Sequence, residues 1–204
     1  MGPAFLRIAA LAGAIFLLAE GPPDEASRVI QMSGQRSAAV KSYTFALHVD
    51  FALRSFPYLG FHLDGTGKWQ RPNLYSVSFK NVPWFAKGFE NIKMDPLEPQ
   101  TWSNDYDFVS VTQTESGHHL VMRDKTQGHL KGIHADLDND GLRRVQWLYE
   151  NGGKITVNIN PVDVDGVPVP GTEQAEIQVP GYHVVAKARF NDYKIVTDAD
   201  DGQH

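Results

Sequence analysis

The chain has 204 residues, a formal net charge of −5 at pH 7 and no cysteine. That length is filled by one β-rich core rather than two, and the missing cysteines exclude a disulfide framework, a thiolate metal site and a lipidated cysteine behind a leader. The charge is spread along the chain rather than gathered in basic blocks, which excludes nucleic acid as an expected partner and leaves no polybasic patch for a membrane surface.

Met1 to Arg7 is a short basic start, Ile8 to Ala19 an unbroken run of apolar or small residues, and Glu20 ends it. The run is shorter than the ~20 residues that cross a bilayer, so residues 1–19 read as a signal peptide. Cleavage after Ala19 and retention as an N-terminal anchor both remain open. Either places the folded part in the periplasm or another extracytoplasmic part of the cell envelope.

Gly21-Pro22-Pro23 cannot continue a helix and Asp24 can cap one, which predicts a helix from Asp24 to Lys41. Its apolar positions Ala26, Val29, Ile30, Ala38 and Val40 fall near one stripe, around a middle of Ser33, Gly34 and Ser37. Gly34 reads either as a site of close packing or as a simple weakening of the helix.

From Tyr43 the period becomes two: Tyr43, Phe45, Leu47, Val49, Phe51 and Leu53 share one face, and Thr44 to Arg54 alternate on the other. This predicts a strand of about 11 residues, long enough to suggest a large coiled sheet. Alternation recurs in Phe61 to Trp69, Tyr75 to Phe79, Ile133 to Leu137, Val145 to Tyr149, Ile155 to Ile159 and Tyr182 to Phe190. Between these runs stand Arg71-Pro72-Asn73, Ser116-Gly117, Asp140-Gly141 and Asn151-Gly152-Gly153, turn residues that make successive strands antiparallel neighbours. Val82 to Ser103, with Trp84-Phe85, reads as a flap or long loop; Pro161 to Gly171, with three prolines, is expected at an edge or rim.

The expected fold is therefore mainly β with one N-terminal helix, a single domain over residues 24–196 followed by an acidic disordered tail over 197–204. A sheet of about nine or ten long strands has more apolar inner surface than one helix covers, so it must curl. Its concave face is either packed with its own aromatics or left as a cleft for an acyl chain.

The helix ending in Val40-Lys41-Ser42-Tyr43-Thr44-Phe45, the long first strand, and Gly67-Lys68-Trp69-Gln70-Arg71-Pro72-Asn73-Leu74-Tyr75 together resemble the LolA/LolB-like bacterial lipoprotein-carrier superfamily over roughly Ala26 to Lys194. The resemblance implies an unclosed β-barrel, a helical lid over a hydrophobic cavity, and binding of a lipid or lipoprotein acyl chain without covalent chemistry. The Val82 to Pro99 insert and the Asp198 to Asp201 tail depart from it. On this reading Phe45, Leu47, Phe51, Trp69, Phe79 and Trp147 are the cavity wall, Trp84 and Phe85 the flap, and Arg71 a cation at the mouth for a head group or carboxylate. A solvated turn arginine is the plainer alternative for Arg71.

Other chemistry is weakly supported. Asp136 to Gly141 matches the first half of a calcium loop, but Trp147 stands where the closing glutamate belongs, so an acidic turn accounts for it. The eight histidines show no ligand spacing, and His48, His62 and His183 lie on faces directed to solvent. No nucleophile elbow or phosphate loop is present; Asp105 with Asp107, and Asp163 with Asp165, are pairs that acid/base work could use but that usually sit on solvated faces. The expected function is an exported, monomeric, non-enzymatic lipid-binding or lipoprotein-carrier-like protein without a cofactor. An envelope sensor or protein-interaction module is the alternative, and a hydrolase a more distant one.

Overall fold

The computed structural model describes residues 21–71, 74–84, 87, 90–94, 98–126 and 128–198. The leader, Pro72, Phe85 and the end of the acidic tail thus lie outside the described residues.

Helix α1 spans Pro22–Ser33, starting earlier and ending sooner than the sequence pattern predicts. Both prolines sit in the first turn, where an amide has no intrahelical acceptor and its loss costs nothing. The Gly21 carbonyl opens the ladder by accepting from Asp24 and Glu25 at 3.0 and 3.2 Å. Gly34 closes α1, and a Cβ there would lie 2.4 Å from Nε2 at the flexible end of the Gln100 side chain rather than against the sheet. A 3-10 turn, Gln35–Ser37, follows. Ala26, Val29, Ile30 and Ser33, at i, i+3, i+4 and i+7, form the buried stripe; Ala38 and Val40 lie beyond the helix and are not part of it.

The strands are β1 (Val40–Leu53), β2 (Gly60–Gln70), β3 (Leu74–Lys80), β4 (Asn91–Met94), β5 (Tyr106–Thr114), β6 (Gly117–Asp124), β7 (Leu130–Asp138), β8 (Gly141–Tyr149), β9 (Lys154–Val164), β10 (Val167–Val179) and β11 (Tyr182–Thr197). A 3-10 turn, Pro99–Thr101, and the short helix α2, Trp102–Asp105, precede β5. All eleven strands form one sheet in the order β4-β3-β2-β1-β11-β10-β9-β8-β7-β6-β5, each pair antiparallel. The expected curled, unclosed antiparallel sheet with an N-terminal helix is the fold observed.

The two irregular segments take defined places. Val82 to Ser103 is not only a loop, because it supplies the edge strand β4 and buries Val82 and Trp102. Of the expected edge or rim, Pro161 to Gly171 takes the rim, at the tip of the central β9–β10 hairpin. Pairing of β8 with β9 begins at Asn158, and pairing of β11 with β10 begins at Thr172, so Pro161 and Pro170 face only each other. No third strand asks for the amide hydrogens they lack. Asp165 and Gly166, at φ 54° and 84°, turn the tip as a two-residue hairpin loop does.

The topology dictates the curl. β4 and β5 are opposite edges of the sheet, yet only the segment between Met94 and Tyr106 joins them. A flat eleven-stranded sheet would hold its edges about 48 Å apart at ~4.8 Å per strand. The joining segment reaches only about 40 Å fully extended, and Pro99–Thr101 and Trp102–Asp105 are wound into helical turns that shorten it further. The edges must approach, and the inner face becomes concave.

That face holds two packed clusters. Beneath α1, Ala26, Val29 and Ile30 pack with Leu120, Met122, Ile133, Ala135, Leu137, Val145 and Trp102. Across β11-β1-β2-β3, Phe45, Leu47, Val49, Leu63, Val77, Phe79, Val82 and Phe190 form the second. Glycines in β2 shape this second cluster. A Cβ on Gly67 would lie 2.1 Å from Phe45 Cζ, so that ring lies over a strand position without a side chain; one on Gly65 would lie 2.5 Å from the Ser78 carbonyl oxygen and 2.9 Å from Phe79 Cδ1. Gly67→Ala should lower the unfolding free energy by about 1–3 kcal/mol in a urea titration. In a Phe45→Leu background the added cost should fall below about 1 kcal/mol; an undiminished cost there would put the clash elsewhere.

Candidate functional site

Between the two clusters the concave face is not filled. A cavity of about 670 Å³ opens there, in the size range of small-molecule sites. Its floor is the sheet (Tyr43, Trp69, Tyr75, Ile159, Glu173), its roof the end of α1 and the segment Glu98 to Thr101, and its rim the hairpin tip Val167 to Pro170 and the β7–β8 turn.

Cross-strand register explains the floor. Tyr75 on β3, Trp69 on β2 and Tyr43 on β1 are direct neighbours in one row. Tyr43 and Trp69 stack with centroids 5.0 Å apart and planes 16° from parallel. A second inner-face row runs Leu63, Val49, Ala188, Glu173, Ile159, so a single carboxyl interrupts four apolar side chains.

No hydrogen bond from a described side chain reaches Glu173. Its burial against the sheet, with its exposed part lining the cavity, pushes its carboxyl up to about 7. Burial foremost, then the negative charge of Glu173, holds the Tyr75 hydroxyl well above the usual tyrosine range; the same causes act on Tyr43, and Tyr193 is raised by burial, Tyr43 and Glu173. Tyr193 in turn donates its hydroxyl to the Pro170 carbonyl.

Arginines and a glutamate hold the rim. Arg36 donates to Asp140 of the β7–β8 turn and to Asp163 of the β9–β10 hairpin, and reaches the Gly166 carbonyl at 3.3 Å. Arg143 takes the other oxygens of this turn, bonding Asp138 at 2.5 Å and Asp140 at 3.1 Å. The acidic turn is thus an arginine-paired turn, in agreement with the plainer reading of Asp136 to Gly141. Glu98 accepts from Trp69 Nε1 at 2.7 Å; burial raises its carboxyl, against the opposing pull of that bond and of Arg71.

Of the wall expected from sequence, Trp69 alone lines this cavity, with Arg71 at its margin. Phe45, Leu47 and Phe79 are buried in the second cluster and Phe51 stacks on Phe61 at 5.0 Å beside it, because the β2 glycines let the rings fold inward and fill that stretch themselves. Trp147 packs against the cluster under α1. Trp84 is 86% exposed, and Phe85 lies outside the described residues. Arg71 is not simply solvated: it donates to the Ala38 and Ser37 carbonyls at 2.7 and 3.0 Å and lies 5.7 Å from the Trp69 ring centroid, tying the β2 end to the α1–β1 connection. Tyr43, Tyr75 and Glu173 were not singled out by sequence reasoning. For Glu173 the signal was the period-two run Glu173-Ala175-Ile177-Val179 of β10, which puts a carboxylate on an apolar face.

The remaining candidates lie apart from the cavity. His48 bonds Asp64 at 2.6 Å and Asp50 at 3.2 Å on the outer face, and His183 bonds Glu176 at 2.9 Å. His119 bonds Asp136 at 2.6 Å and meets His134 at 3.1 Å, a pairing between neighbouring strands that linear spacing does not reveal. Among the described residues no three His, Cys, Asp or Glu side chains converge as a metal site. Asp107 of β5 pairs with Arg123 of β6 whereas Asp105 ends α2, and Asp165 is a turn residue while Asp163 is in β9, so neither pair shares a strand face.

No family model matches the chain, and no curated protein matches it in sequence. Solved structures do share its fold. A DUF1329 family protein from Desulfovibrio piger aligns over 88% of this chain and 97% of its own, with a TM-score of 0.58 at 8% identity. A LolA superfamily protein from Nitrosomonas europaea aligns over 90% and 97%, with a TM-score of 0.54 at 10% identity. A domain from Vibrio parahaemolyticus named for outer membrane lipoprotein sorting aligns over 86% and 96%, with a TM-score of 0.56 at 10% identity. The chain has the LolA-like fold that its sequence resembles.

Because the folded-state value of Glu173 is raised from an ordinary 4.5 to about 7, its proton is held more tightly in the folded than in the unfolded chain. Its contribution to stability is complete below the lower value and is lost as pH rises through the upper one. The unfolding free energy of the native protein relative to Glu173→Gln should therefore fall between pH 4.5 and 7. The fall should be on the order of 2 kcal/mol, the cavity side of the carboxyl keeping part of its hydration. Parallel pH profiles of the two proteins would show that Glu173 is not the titrating group.

Proposed function

We propose that this protein is an exported, monomeric lipid-binding protein of the carrier type, which holds the apolar part of a lipid or a lipoprotein acyl chain in the cavity between sheet and helix without covalent chemistry. The observation that carries this reading is the unfilled hollow itself, beside Tyr43, Trp69, Tyr75, Ile159 and Val169, in a sheet whose flanking concave stretches hold the two packed clusters. The kinship of fold with a protein named for lipoprotein sorting supports it, and the apolar leader supports an extracytoplasmic site of action. Affinity arises from burial, about 0.8 kcal/mol for each methylene removed from water. A hollow of this size takes one chain rather than a bilayer patch. The wall proposed for that chain is Trp69 with Tyr43 and Tyr75 in its row, while Phe45, Leu47, Phe51, Phe79 and Trp147 belong to the flanking clusters.

A second reading, an envelope interaction module on the same fold, is favoured by one feature: Trp84, in the segment between β3 and β4, presents most of its surface outward. Loss of partner capture in Trp84→Ala with unchanged lipid uptake would support it.

Native mass spectrometry of the full chain isolated from cells, followed by extraction of any co-purified small molecule, tests the carrier reading. A lipid at near-stoichiometric occupancy is the expected result. Ile159→Trp, which fills the hollow from β9, should cut uptake of a fluorescent fatty-acyl probe about tenfold or more with the β-sheet spectrum unchanged. Undiminished uptake would place the ligand elsewhere.

A further inference from the structure

The floor of the cavity has a chemical character that an acyl slot does not require. Four of the five side chains in the row through Glu173 are apolar, and the carboxyl has no hydrogen-bonding partner among the described side chains. The carboxyl is part-buried and opens onto the cavity, where water or a ligand group can complete it. The same cavity is lined by the aromatic row of Tyr43, Trp69 and Tyr75, whose electron-rich faces are surfaces on which organic cations are bound. The Trp69 face already carries one cation, the Arg71 guanidinium. The second carboxyl at the roof, Glu98, has the same sign as Glu173.

We propose that the inner end of the cavity receives an ammonium group carried by an amphiphile, placed between the Glu173 carboxylate and the rings of Tyr43 and Tyr75, with the acyl chain running along the rest of the hollow. This rests on the lipid-binding reading and specifies the class of head group. An anionic head group meets two carboxyls inside the hollow, and its countercharge, Arg71, is engaged by the Ser37 and Ala38 carbonyls. The titratable groups close enough to feel the charge of Glu173 are Tyr43 of β1, Tyr75 of β3 and Tyr193 of β11. None of the three tyrosines supplies a positive charge, so the cation must come from the ligand. The raised titration of Glu173 fits a carboxyl kept without a partner until the ligand brings one.

The test is isothermal titration of the full chain with dodecyltrimethylammonium, dodecanol and dodecanoate below their micellar concentrations, with tetramethylammonium as the chain-free cation. At pH 8 the quaternary ammonium should bind about tenfold or more tighter than the carboxylate. Its charge does not titrate, so its affinity should rise about tenfold from pH 5.5 to pH 8 as Glu173 ionises. In Glu173→Gln most of that rise and most of the preference should vanish while dodecanol binds as before. A carboxylate bound as tightly as the ammonium, or an unchanged preference in Glu173→Gln, would overturn the head-group assignment and leave the lipid site standing. Tetramethylammonium binding as tightly as the long-chain cation would overturn the amphiphile in favour of a small soluble cation. Failure of all three dodecyl ligands to bind would overturn the lipid-binding reading and this inference with it.

Discussion

The structure depends on a constraint of chain length. The two edges of an eleven-stranded sheet are joined by the short stretch between β4 and β5, so the sheet cannot lie flat. Right-handed twist of long strands bends it in the required direction, and β1, continuous over Val40–Leu53 and paired on both sides, is the spine about which both halves coil. A concave inner face follows from connectivity before any ligand is considered.

A helix of twelve residues cannot cover that face. α1 seals the half over β5 to β8, where its stripe of Ala26, Val29 and Ile30 meets the sheet. The other half is sealed by its own aromatics, which can lie down because Gly65 and Gly67 remove the side chains that would prop them up. The cavity is what remains between the two solutions, at the end of α1 where Gly34 stops the helix and the chain turns into β1. Its borders are held by directional bonds: Arg36 bridges two hairpin tips, and Arg71 ties the β2 end to the connection after α1. Hydrophobic burial is non-directional and closes gaps; these ion pairs and carbonyl bonds fix where a gap stays open.

The electrostatics of that gap are one-sided. The charged groups at the rim are paired with one another, whereas Glu173 on the floor is left to the tyrosines around it. A carboxyl in such a place raises its own titration point and that of its neighbours. Polar character inside a largely apolar hollow is what separates a ligand of defined head group from any chain of suitable length.

Much of the scaffold was legible in the sequence because it is local. Alternation in Tyr43 to Leu53 specified a strand with one apolar face, the turn residues specified antiparallel neighbours, and Ala26, Val29 and Ile30 specified the helix stripe; these depend on periods of 2 and 3.6 that survive in any tertiary context. The helix ends were misplaced because first-turn prolines and the Gly34–Gln100 contact are decided by which amides need acceptors and by a residue far along the chain. The cavity could not be read at all from the aromatic pattern. Phe45 and Trp69 look alike as inward-facing aromatics, yet one folds over a glycine on the next strand and the other stacks in a row beside an open space. Likewise Glu173 is an ordinary carboxylate until β10 is registered between Ala188 and Ile159. The sequence by itself determined strands, faces and the need to curl; only the tertiary structure decided where the concave face stays empty, because emptiness is a property of side chains that meet across strands rather than along them.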